Sequence, residues 1–175
     1  ITSSGDGIEV VGGTLTITGD GTVNAASGGQ WVAVWANGGN VVIENGTYSV
    51  GADANGYTND CIYAKGSAIT INGGTFTSEG TYNPPVGGMV VNANNTVANS
   101  KVTINGGTFN LIGDGRFYED GDYTANRVVF GDAAIYTMNV TSDMSISSAL
   151  KVNAGTATLA MAGKTIISSG DGIEV

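Results

Sequence analysis

Histidine is absent from the 175 residues, cysteine occurs once, proline twice, and Lys plus Arg six times against fifteen Asp plus Glu. Each shortage excludes something. A net charge of −9 leaves no basic stripe for nucleic acid, whose phosphates require one. It also leaves nothing to attract an anionic membrane surface. No apolar run approaches the ~20 residues of a membrane span, so membrane insertion is not expected. A lone cysteine, Cys61, cannot make a disulfide framework or a thiolate metal site, and reads as a small buried hydrophobe. Charged residues are only 12% of the chain while aliphatic residues are abundant, the reverse of a disordered composition. One domain over residues 1–175 is the natural assignment. With no signal peptide and no initiator Met, the chain reads as a mature fragment or the ordered part of something longer.

What is present is glycine, 29 residues of it, arranged in a repeat. The stretches TLTITGDGTV (14–23), VVIENGTYSV (41–50), AITINGGTFTS (68–78), KVTINGGTFNL (101–111) and ATLAMAGKTII (157–167) share one pattern. Each has two apolar residues spaced by two, a turn of small residues, and a further apolar residue. The pairs are Leu15/Ile17, Val41/Ile43, Ile69/Ile71, Val102/Ile104 and Leu159/Met161, with a weaker copy at Met138/Val140. A second apolar strip precedes each copy. Its inward residue lies seven positions before the pair: Ile8 before Leu15, Val34 before Val41, Ile62 before Ile69, Val152 before Leu159. Period-two alternation indicates strands with one buried face. Short strands repeated every ~27 residues without helices predict the coils of a parallel β-solenoid, since one coil cannot bury its own apolar face. The fold expected is all-β, a right-handed parallel β-helix with about six coils per unit. A β-sandwich also has many short strands, but has no reason to repeat INGGTF at one register. Ile17, Ile43, Ile71 and Ile104 should stack as a core ladder. Asn72 and Asn105 fall at one corner, where stacked amides form ladders.

SSGDGIEV occurs twice, at Ser3–Val10 and at Ser168–Val175, an offset of 165 residues. The flanks Ile1-Thr2 and Ile166-Ile167 also correspond. The reading is a unit of residues 1–165 followed at 166–175 by the start of a second copy. The partners expected are identical units, head to tail, at a unit rise of about 29 Å for six coils. An engineered overlap would duplicate the ends too.

The stretches VTINGGTFN, AITINGGTFTS and VWANGGNVVIENGTYSV resemble the right-handed parallel β-helix proteins of bacteria and bacteriophages. The resemblance covers nearly the whole chain. It implies a structural module of an extracellular fibre, phage tail or surface adhesin, located outside the cell, on its surface or on a virion. Related β-helices include polysaccharide lyases and hydrolases, so a carbohydrate-binding or carbohydrate-cleaving tailspike-like or pectate-lyase-like domain is the alternative. Against an enzyme, the regular coils pair no carboxylates at one position, and the two arginines sit in an irregular insert. No catalytic residue is assigned.

Two ligand sites are weighed. The insert GDGRFYEDGDYTANR holds Asp114, Glu119, Asp120 and Asp122, whose oxygens suit Ca²⁺, though the spacing is not that of an EF-hand. A plain solvated loop is the rival, and no cofactor is required. Phe117 and Tyr118 in the same insert, together with Trp31, Trp35 and Tyr63, are candidate stacking surfaces for surface glycans. Trp35 and Tyr63 point outward if Val34 and Ile62 point inward. The GDG triplets read as turns.

Overall fold

Alternation at period two makes each short strand amphipathic, and only stacking buries its apolar side. The computed structural model describes residues 1–26, 28–52, 59–79, 89–112, 117–118, 125–146, 150–152 and 154–175. Among these there are strands and turns and no helix. All strand pairings are parallel. The chain is a parallel β-solenoid.

The first coil comprises β1 (Ile8–Val10), β2 (Thr14–Ile17) and β3 (Thr22–Ala25). The second comprises β4 (Val32–Asn37), β5 (Asn40–Ile43) and β6 (Thr47–Val50). The third comprises β7 (Asp60–Lys65), β8 (Ala68–Ile71) and β9 (Thr75–Ser78). The fourth comprises β10 (Val91–Ala93) and β11 (Lys101–Leu111), which turns a corner at the register shift between Ile104 and Gly106. Strands at like positions stack into three faces. The first is β1-β4-β7-β10. The second is β2-β5-β8 and the first half of β11, and the third is β3-β6-β9 and its second half.

Beyond these four regular turns the pattern loosens. The Phe117 carbonyl accepts from the Val91 amide at 2.9 Å, carrying the first face onward. β12 (Val128–Val140) stacks both its halves on β11. β13 (Met144–Ile146), β14 (Leu150–Lys151) and β15 (Thr156–Ala160) follow, then β16 (Ile166–Ser168) and β17 (Ile173–Glu174). Four regular coils, rather than six, is a correction with a local cause. Met138 and Leu159 resemble the second-face pairs in sequence, yet Phe109 pairs with Met138 and Met138 with Leu159, all on the third face. The second-face ladder continues instead through Phe130, opposite Ile104. An apolar-x-apolar pair fits any face, so it does not specify which one it occupies.

Ile17, Ile43, Ile71 and Ile104 stand in register on successive coils. The last three are wholly buried, while Ile17 is partly buried. On the third face Val23, Tyr48, Phe76, Phe109, Met138 and Leu159 form a second column. Its rings stack with centroids 5.1 Å apart for Tyr48–Phe76 and 5.2 Å for Phe76–Phe109. Burying each such side chain is worth about 1.5–3 kcal/mol.

The corner before this column explains the repeated glycine. Gly46, Gly74 and Gly107 have φ of 119°, 108° and 118°. A Cβ on Gly74 would lie 3.0 Å from the Gly46 carbonyl oxygen of the coil beneath. Polar ladders line the outer corners. The Asn105 amide donates to Asn72 Oδ1 at 2.9 Å, and the Asn72 amide to the Glu44 carboxylate at 3.1 Å. A second ladder runs from Asn139 to Asn110 to Thr77.

Candidate functional site

The first face carries an outward strip because its inward positions are taken by Ile8, Val34, Ile62 and Val91. The alternate positions, Glu9, Trp35, Tyr63 and Asn92, stack on the outside. The Trp35 and Tyr63 rings lie 6.1 Å apart, tilted by 38°. Both are half-buried. Neighbouring amides hold the strip: Asn37 donates to Glu9 Oε1 at 2.9 Å, and Asn94 donates to the Tyr63 hydroxyl. Trp35 Nε1 is buried and has no hydrogen-bond partner among the described residues. Such a donor is costly to leave unpaired. Trp31, expected on the same face, sits before β4 with its ring against Gly5 and Gly29 and packed on the core. No ring contact joins it to Trp35 among the described residues.

Phe117 and Tyr118 are corrected as exposed stacking surfaces. Both are buried, at 3% and 7% exposure. Phe117 lies 4.4 Å from Phe109 and 6.0 Å from Phe130, and Tyr118 lies 5.7 Å from Phe130, centroid to centroid. They fill the column where regular first-face strands end. Burial also pushes the Tyr136 phenol beside them up to about 12, and its hydroxyl has no hydrogen-bond partner among the described residues. Asp114, Glu119, Asp120 and Asp122 lie outside the described residues. Among the described residues no group of three His, Cys, Asp or Glu could hold a metal ion.

One groove carried no sequence signal. Ala68, residues 95–101 and residues 125–127 enclose about 490 Å³. Asn99 and Asn126, at φ 65° and 54°, shape its two loops. The Asn94 side chain accepts from the amides of Thr96 and Val97, each at 2.9 Å. Lys101 and Arg127, two of six basic residues, line the wall of an otherwise acidic protein. Nothing in the spacing of these residues announced it, because the loops meet only when coils stack.

The duplicated segment has the most informative geometry. The Gly5 amide donates to Ser3 Oγ at 3.1 Å, and the Gly170 amide to Ser168 Oγ at 3.2 Å. The two copies thus begin with the same turn. Their neighbours are on opposite sides. Among the described residues the first copy and its flank pair with chain that follows: Thr2 with Asn24 of β3, and Ile8–Val10 with β4. Among the described residues the second copy and its flank pair with chain that precedes: Ile166–Ser168 with β13, and Ile173–Glu174 with β14. The Gly7 amide donates to Val32 O at 2.9 Å, whereas the equivalent Gly172 carbonyl accepts from the Leu150 amide at 3.1 Å. Among the described residues six large apolar side chains are exposed; Ile1, Val11, Ile167, Ile173 and Val175 lie in or beside the two copies, and the sixth, Ile135, lies in β12.

No protein-family model, no curated protein and no solved structure matches the chain.

Proposed function

We propose that this chain is a structural module of an extracellular fibre, in which identical 165-residue units run head to tail as one continuous parallel β-solenoid. The observation that carries the reading is that both SSGDGIEV copies fold as parallel coil strands opened by the same serine turn. Each copy uses the hydrogen-bonding edge that the other leaves unused. One segment with both sets of partners would join β13 to β3 through residues 1–3, and β14 to β4 through residues 8–10. Main-chain strand addition over an apolar column supplies affinity without charge. A heterologous contact of this kind does not close, so it builds open filaments. The resemblance to β-helix proteins of bacterial surfaces and phage fibres fits that role.

The test is a chain of two units sharing the segment, so that residues 166–175 of the first are residues 1–10 of the second. Small-angle scattering should show one rod, lengthened by about 30 Å over the single unit, as expected for some six turns at ~4.8 Å. Two separately tumbling units would overturn the proposal.

The strip on the first face supports a second role for the same module, glycan binding through Trp35 and Tyr63. The outward pairing of the Trp35 and Tyr63 rings, 6.1 Å apart, favours it, because aromatic faces stack on sugar rings. Oligosaccharide titration should quench tryptophan fluorescence in the native chain and not in Trp35→Phe. Equal quenching in both would remove this role.

A further inference from the structure

We infer that successive units of the fibre are out of phase by one face, so that each unit is rotated by a third of a turn relative to the one before. This rests on the head-to-tail reading and goes beyond it. The chain visits the faces in fixed order: first, second, third. The second half of β12 is on the third face, because Phe109 pairs with Met138 there. β15 is on the third face as well, because Ile135 to Asn139 pair one by one with Thr156 to Ala160. One circuit therefore separates them, and it contains two strands, β13 and then β14. By that order β13 falls on the first face and β14 on the second, and among the described residues they pair with β16 and β17.

The duplicated segment can now be placed twice. Residues 1–3 lie on the third face, since Thr2 pairs with Asn24 of β3. Their repeat, 166–168, pairs with β13 and lies on the first. Residues 8–10 lie on the first face, paired with β4. Their repeat, 173–174, pairs with β14 and lies on the second. Both parts have moved on by one face. A unit is a whole number of turns plus one third.

Side-chain volumes agree with the step. The third-face column runs from Phe76 and Phe109 to Met138 and Leu159. With a one-face step, the next occupant is Leu15 and Ile17 of the following unit, so the column tapers from rings to aliphatic groups before the isoleucine ladder begins. As a result, every surface feature of the unit, the Trp35–Tyr63 strip included, recurs along three lines around the fibre. It returns to one line every third unit, about 90 Å along the axis at ~4.8 Å per turn.

Helical reconstruction by electron cryomicroscopy of a rod of six units, joined through the shared segment, measures the step directly. The expected rotation between adjacent units is about 120°, modified by sheet twist, at a rise near 30 Å. A continuous rod with rotation near zero would overturn the phase step and leave the head-to-tail reading standing. Separate globules in place of a rod would overturn both.

Discussion

Residues 3–10 and 168–175 are the same eight amino acids, yet they have different environments. Their first turns agree, Ser3 with Gly5 and Ser168 with Gly170, because a serine hydroxyl two residues before an amide needs nothing else. Their burial does not agree. Val10 is 9% exposed and Val175 is 96% exposed. Ile8 packs against the core while Ile173 is 56% exposed. The first copy lies against β3 and β4, the second against β13 and β14. Burial in a solenoid thus belongs to the pair of neighbours, not to the strand.

The largest contrast should come from charge in the apolar column. Ile71→Asp puts a carboxylate between Ile43 and Ile104, where it has no water, at a cost of several kcal/mol. Ile173→Asp should shift urea unfolding by less than about 0.5 kcal/mol, as exposed sites do. In the two-unit chain the residue equivalent to Ile173 acquires neighbours on both sides, and its replacement should then approach the Ile71 cost. Equal midpoints for both variants in the single unit would break the comparison.

A gentler probe uses one glycine in its two settings. A Cβ on Gly7 would lie 2.5 Å from the Ala33 carbonyl oxygen and 2.5 Å from a Val23 methyl. On the equivalent Gly172 it would meet nothing within 4 Å. Gly7→Ala should therefore lose about 1–3 kcal/mol from overpacking, and Gly172→Ala almost nothing. In the shared junction of a two-unit chain, the Gly172 variant should become as costly as Gly7→Ala. Thermal melts of the four proteins decide it.

Acidity sharpens the first copy. Burial raises the Asp6 carboxyl above its ordinary value of 3.8, more than the hydrogen bond from the Val32 amide lowers it, and the Glu9 charge adds to the rise. A folded-state value above the unfolded one means that the folded chain holds its proton longer. Asp6 then costs stability as pH rises from about 4 through the raised value, and that cost is absent at lower pH. Asp6→Asn keeps an acceptor for Val32 and should flatten stability over that window while melting slightly higher at pH 7. Parallel pH curves for the two proteins would show that Asp6 contributes no such term.

The smallest effect touches reactivity and not stability. Cys61 is fully buried in β7, and its thiol is pushed up to about 12 by that burial. At pH 8 a thiol reagent should leave it unlabelled in the native chain and react on unfolding. A cysteine placed by Val175→Cys should label at once. Rapid labelling of native Cys61 would mean that the middle coils open readily.

The regular coils were legible because each position repeats. Ile43, Ile71 and Ile104 announce themselves by spacing, and the Asn72–Asn105 ladder by falling at one corner. Phe117 and Tyr118 were not legible. They sit among acids and glycines, a loop composition, and are buried only because the fourth coil leaves an open position in the column above it. The groove at residues 95–101 and 125–127 was hidden for a related reason, since its two walls come from different coils.

What the sequence determined by itself is the strand, the turn and the repeat: period-two alternation, a glycine where φ is positive, and the 165-residue recurrence of SSGDGIEV. What only the tertiary structure decided is which face each strand occupies. An apolar pair fits any of the three, and the choice depends on how many residues each corner consumes before the next strand begins. Met138 and Leu159 match the isoleucine ladder in pattern and join the aromatic one in space, pairing with Phe109 and with each other.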